Sequence, residues 1–243
     1  VIAIGKGKNN PFDVFKTPMD LEKEAKEKKM NPYMLTSFVD GSKTMIEMAA
    51  LANYLDFDID IDGMHGPSST YDELNSIFIP KSSGGILENT NVVDFAFGVA
   101  PGVFAIVYSE DDYVNYEMEY LKMGKGPYWT LYRPYHLTSL EIPRTIMKLM
   151  VEKETQLSAK KWNVEVVAHS KKDLKAGTNL GSIGGENIYG KAMRVENSKN
   201  LAPLGIAENN IVNSEVKKGE PIEIENIDIT DNQLYKYWLS QNS

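Results

Sequence analysis

The sequence predicts an α+β protein in which helices and strands alternate over the first two thirds of the chain and a small β domain follows, closed by a terminal helix. Three observations predict it. Met45, Met48, Ala49 and Ala52 recur at helical spacing. Val92 to Val107 is the most apolar stretch and reads as two core strands joined across Ala100, Pro101 and Gly102. From Val164 the chain breaks into short strands and turns carrying an internal echo, LKAGTNL at 174–180 and VKKGEPI at 216–222. The expected divisions are therefore 1–160, 161–230 and a terminal helix over 231–243.

Composition narrows the classes of function. A formal net charge of -8 and a pI near 5.0, with no run of Lys and Arg free of acids, exclude nucleic acid and an anionic membrane as natural partners. The chain has 0 cysteines, which rules out disulfides, thiol catalysis and Cys-ligated zinc or iron–sulfur clusters. No apolar run approaches the ~18 residues of a membrane span, and no signal layout opens the chain, so a cytoplasmic protein is expected.

Taken in order, Val1 to Ile4 is a strand-like run with no initiating Met, as though the chain were entered in mid-sheet, and a preceding part is expected. The loop GKGKNNP that follows puts Lys6, Lys8 and Asn9 at a strand's C-terminal end, where open α/β sheets place ligands; a solvated turn is the alternative. It is neither G-x-G-x-x-G nor a P-loop. Thr17 to Lys29 reads as one capped, mostly charged helix with Pro18 at its first position, ended by Asn31 and Pro32.

SFVDGSKTMIEMAALAN, Ser37 to Asn53, is the stretch most suggestive of chemistry. Asp40 and Ser42 are N-cap types ahead of a helix expected from about Lys43. Asp40, Lys43 and Glu47 then share one row of its surface. A lysine in a first turn opposes the helix dipole by roughly 0.3–1 kcal/mol, which marks Lys43 as a catalytic candidate. The alternative is a plain surface pair between Lys43 and Glu47.

YLDFDIDIDG, from Tyr54, alternates as a half-buried strand. Its D-x-D-x-D-G spacing imitates a calcium loop, but Ser69 stands where the bidentate Glu is required. His65, between glycines at that strand's end, can reach a ligand or simply bond backbone. A helical piece is expected from Tyr71. In KGPYWTLYRPYHL, Lys125 to Leu137, Arg133 and His136 sit among aromatic residues, as a pocket wall would have them; an aromatic core strand with a snorkelling arginine is the alternative. Leu140 to Glu152 reads as a helix with Ile146, Leu149 and Met150 inward, and the terminal helix carries Tyr235, Trp238 and Leu239.

Together GKGKNNP, SFVDGSKTMIEMAALAN, GMHGP, GPYWTLYRPYHL and DLKAGTNLGSIGG resemble the homoserine dehydrogenase-like oxidoreductases with a C-terminal SAF domain, a group that includes deoxyxylulose-phosphate reductoisomerase-like enzymes. The resemblance spans Val1 to about Leu239. It implies a substrate-binding and dimerisation domain with a mixed sheet, then a small SAF-like β-clip. It implies NADP or NAD as cofactor, bound mainly by a preceding nucleotide-binding domain. Asp40 and Lys43 take the catalytic roles by this resemblance, with Lys6, Lys8, Asn9, Arg133 and His136 binding substrate; His65, from its place beside glycines at a strand end, is a further substrate-binding candidate.

The implied activity is a dehydrogenase or reductoisomerase acting on a small hydroxylated, phosphorylated or carboxylated molecule, in a homodimer or higher homo-oligomer. A proton donor for the developing alkoxide is needed, and a buried lysine near other cations would suit. The alternative function is a non-enzymatic sugar-acid binding and oligomerisation module built on the SAF-like part. A third, metal-dependent sugar-acid dehydration, lacks a two- or three-His motif, and no metal site is expected.

Overall fold

The alternation in β1 (Ala3–Lys8) gives it two different faces, and in the computed structural model it takes the middle place of a five-stranded sheet. The structure describes residues 1–137, 139–230 and 233–241. The chain divides into two units, Val1–Asn9 with Met48–Val164, and Asn10–Glu47 with Glu165–Ser243. Asn10–Glu47 thus groups with the C-terminal segment.

In the first unit β2 (Asp58–Ile59), β3 (Val92–Phe97), β4 (Val103–Tyr108) and β5 (Tyr128–Arg133) complete the sheet in the order β2-β3-β1-β4-β5. β1 and β2 run parallel to β3, whereas β4 runs antiparallel to both β1 and β5. The sheet is mixed and the fold is α+β. The two apolar strands do not pair with each other, because β1 lies between them.

Ala3, Val92, Ala96, Phe104 and Ile106 share one sheet face and bury it against Leu74, Phe78 and Leu87. Leu74 and Phe78 are each 0% exposed. Burial of such side chains is worth about 1.5–3 kcal/mol apiece.

The helices, in chain order, are α1 (Glu22–Glu27), α2 (Pro32–Val39), α3 (Ser42–Leu55), α4 (Leu74–Ile77), α5 (Asp112–Tyr120), α6 (Ile142–Met147), α7 (Leu204–Ala207) and α8 (Gln233–Gln241). α3 starts at the expected place, and Met45, Met48, Ala49 and Ala52 are all buried. Four expectations need correction. The charged helix is only the short α1, because Thr17 and Asp20 bond each other in a turn that uses up the cap. Asn31 and Pro32 open a helix rather than merely ending one: Asn31 Oδ1 accepts from Tyr33 N–H and Pro32 occupies the first turn of α2. The alternating acidic strand shrinks to β2, with Ile59 buried and Ile61 exposed. Finally, Ile146, Leu149 and Met150 face outward, along α6 and the π-helical turn Lys148–Glu152 that continues it.

In the second unit β6 (Val164–Ser170) and β7 (Ile188–Arg194) form one two-stranded sheet, and β8 (Ile211–Val212) and β9 (Ile227–Asp228) another. The internal echo has a structural counterpart. Leu174 and Val216 exchange backbone hydrogen bonds of 2.8 and 3.1 Å, so the two copies meet across an antiparallel bridge. Gly177 and Gly219 have φ of 87° and 85°, each within a turn closed three residues apart, Thr178 N–H to Lys175 O and Glu220 N–H to Lys217 O. The apolar ends of the copies, Leu180 and Ile222, are both buried.

Candidate functional site

The junction between α2 and α3 is built from a glycine and a buried charge. α2 ends at Asp40, and Gly41 follows at φ 84°, where glycine is favoured beyond a helix end. A Cβ at Gly41 would also drive into the Phe12 ring. Neither expected N-cap residue works as expected. Met45 N–H bonds Gly41 O at the start of the helical ladder, while Asp40 Oδ1 accepts from Ser42 N–H at 2.8 Å. Ser42 is the first helical residue, and its hydroxyl accepts instead from Gly190 N–H at 2.8 Å.

The other Asp40 oxygen faces Lys171, a residue that sequence reading missed. Lys171 Nζ lies 2.8 Å from Asp40 Oδ2 and donates to Lys16 O at 2.7 Å and Gly185 O at 2.9 Å. Its side chain is 1% exposed and that of Asp40 is 0% exposed. Burial pushes the Lys171 ammonium below its ordinary range, against the raising effect of Asp40. The buried lysine of this neighbourhood is therefore Lys171 and not Lys43, and its ammonium is spent on the protein itself.

Lys43 is half-exposed, 3.5 Å from Glu47 and with its ammonium 4.5 Å from the centroid of the Phe38 ring. The surface pair named as its alternative is present. Lys43 also lines a cavity of about 310 Å³ together with Asn31, Tyr33, Ser37, Phe38 and Ile183. Gly184, at φ 72°, lets the loop carrying Ile183 press onto the first turn of α2, since a Cβ there would collide with Tyr33 O. One ammonium on an otherwise mostly apolar wall is a composition common to small-molecule sites.

The remaining candidates fall in the first unit. Lys6 and Lys8 share one face of β1; Lys8 is 5% exposed, Lys6 is half-buried and Asn9 is exposed. Lys6 pairs in register with Val103, which pairs with Arg133, so the two cations lie in one row across three strands on the same face. Their Cα atoms are about 10 Å apart on strand spacing. Arg133 does not present an open fork. Its Nη2 donates to Glu141 Oε1 at 2.9 Å, which holds the Glu141 carboxyl below its usual range, and its guanidinium stacks over Tyr135. His136 Nδ1 is 2.8 Å from Pro101 O.

His65 sits between two buried carboxylates. Its Nε2 lies 3.2 Å from Asp60 Oδ2 and its Nδ1 3.6 Å from Asp94 Oδ2. Asp60 also accepts from the backbone of Glu88 and Asn89, and Asp94 from that of His65, Gly66 and Phe95. The ring thus ties loops together, and the acidic alternation of the sequence ends in this clamp.

Burial raises the Asp94 carboxyl above its ordinary 3.8, with its backbone donors and His65 opposing. A raised native value means that the contribution of Asp94 to stability is whole below pH 3.8 and is lost as pH rises through the native value. The unfolding free energy of the natural chain minus that of Asp94→Asn, measured in urea, is expected to fall across that window. A difference that stays constant with pH would refute it.

The Oxidoreductase DRL catalytic-domain family model matches residues 1–142. That is more than half of the chain, which belongs to this family. Comparison with curated proteins finds no match. Among the described residues no helix is long and apolar enough to cross a membrane. In the matched segment β1 runs on into turns, and the next helix, α1, begins only at Glu22 without a glycine-rich opening.

Proposed function

We propose that this chain is the substrate-binding and catalytic part of an NAD(P)-dependent dehydrogenase or reductoisomerase of the homoserine dehydrogenase-like kind. Its substrate is a small hydroxylated molecule bearing a phosphate or carboxylate. The observation that carries the reading is Lys43, set on the wall of the α2 cavity, at the start of a helix whose entry is fixed by Asp40 and Lys171. In this reading Lys43 Nζ donates a proton to the substrate carbonyl oxygen as it is reduced, while Asp40 positions Lys43 through the junction. Ser37 and Tyr33 line the same cavity; the Tyr33 hydroxyl can bond a substrate hydroxyl, and Ser37 Oγ, which donates to Met34 O, can still accept from one.

In this reading the nicotinamide is held mainly by a nucleotide-binding domain, as the resemblance to homoserine dehydrogenase-like enzymes implies, and it supplies the hydride when bound. The echoed copies at 174–180 and 216–222 support reading the C-terminal segment as SAF-like.

The test uses the full-length gene product, titrated with NADPH and then offered phosphorylated and carboxylated carbonyl compounds while NADPH absorbance is followed. Saturable NADPH binding with carbonyl-dependent oxidation is expected, together with substrate-analogue binding but no turnover by this chain alone. A full-length protein that binds no nicotinamide nucleotide would overturn the oxidoreductase assignment of these residues and favour the binding-module alternative.

A further inference from the structure

The first unit holds a cavity of about 320 Å³ that none of the residues assigned above lines. Its floor is β5. The residues that lead into α4 form one wall, and the turn between α5 and β5 forms another. Asn75 Nδ2 donates to Tyr128 O at 2.9 Å and the Tyr71 ring packs 5.1 Å from that of Tyr132, so the wall is tied to the strand at two points. The turn is held by left-handed residues, Lys122 at φ 63° and Gly124 at φ 105°, and it brings both Lys122 and Lys125 to the cavity.

Thr130 also lines this space. It is 5% exposed, and its hydroxyl is buried with no hydrogen-bond partner among the described residues. A buried hydroxyl left unmatched calls for a partner that the chain does not supply. Neither Lys122 nor Lys125 forms an ion pair with a described residue, and Asp72 is the single acid on the lining, so the cavity is locally cationic in a protein of net charge -8. Charge of the opposite sign to the whole molecule, gathered around an orphaned donor, points to an anion that also carries a hydrogen-bond acceptor.

We propose that this cavity is a binding site for a small oxyanion-bearing metabolite, its phosphate or carboxylate held by Lys122 and Lys125 and one of its oxygens accepting from the Thr130 hydroxyl. The site shares no lining residue with the α2 cavity and stands whether or not Lys43 is catalytic.

The full chain, labelled with ¹⁵N at threonine, is titrated with sodium phosphate and separately with sodium malonate, at ionic strength held constant with chloride. Thr130 is identified as the signal missing from Thr130→Val. A saturable shift of that signal is expected with at least one anion; phosphate alone would type the ligand as a phosphoester, and malonate alone as a carboxylate. Lys122→Ala with Lys125→Ala is expected to weaken binding by roughly tenfold or more. Thr130→Val is expected to weaken it and also to raise the melting temperature of the ligand-free chain, because the unpaired hydroxyl is gone. Thr130→Ser, which keeps the hydroxyl, is expected to retain binding. No saturable shift with either anion, or a shift unchanged in the double lysine variant, would overturn the site.

Discussion

Replacing Lys171 with Met is expected to cost about 3–5 kcal/mol of stability, since it leaves the Asp40 carboxylate buried without its counter-charge. For a chain of this size that is a fall of roughly 6–20 °C in melting temperature. The carbonyls of Lys16 and Gly185 lose a donor in the same step. Both charges give up their hydration in this buried site, so the pair is not itself a large net source of stability. Its work is specification, since one ammonium joins the segment at Lys16, the loop at Gly185 and the α2–α3 junction.

The double variant Asp40→Leu with Lys171→Met is therefore expected to recover the part of the loss due to the stranded carboxylate, but not the part due to the two carbonyls. Calorimetry of the two single variants and the double variant checks this. Additive losses would mean that Asp40 and Lys171 act independently and would remove the pair from its positioning role.

What was legible in the sequence followed from local periodicity. The buried stripe of α3 is visible in the spacing of Met45, Met48, Ala49 and Ala52, because helical period and burial coincide there. The echo was legible because each copy makes the same glycine turn with its own residues. Period without a partner misled: Ile146, Leu149 and Met150 repeat correctly for a helix, yet spacing cannot say whether anything covers that face, and they are exposed.

Of the candidate site, only what lies close in sequence was legible. Asp40 stood out for its place before α3, whereas Lys171 could not, because its significance lies in a carboxylate brought to it only by folding. Arg133 showed the same limit. Its aromatic surroundings were visible, but Glu141, which occupies its guanidinium, belongs to a helix start that spacing did not connect to it.

Lys43→Ala is expected to behave in the opposite way to Lys171→Met, with turnover of the full-length enzyme falling by ~100-fold or more while stability barely changes. The stability half follows from exposure. The pair with Glu47 is half-exposed and spans 3.5 Å, and such pairs are worth about 0–1 kcal/mol. The turnover half follows from the proposed role, in which a proton must leave Nζ as the carbonyl oxygen gains charge. Lys43→Arg separates this role from simple attraction. A guanidinium keeps the positive charge and the contact with Phe38, but it does not release its proton at working pH. If Lys43 is the proton donor, Lys43→Arg keeps KM near that of the natural enzyme and loses kcat as the alanine variant does. If Lys43 only attracts an anionic substrate, Lys43→Arg restores turnover and Lys43→Ala mainly raises KM. Near-normal kcat and KM in both variants would leave Lys43 as the surface partner of Glu47 and send the search for the proton donor to Lys6 on the sheet.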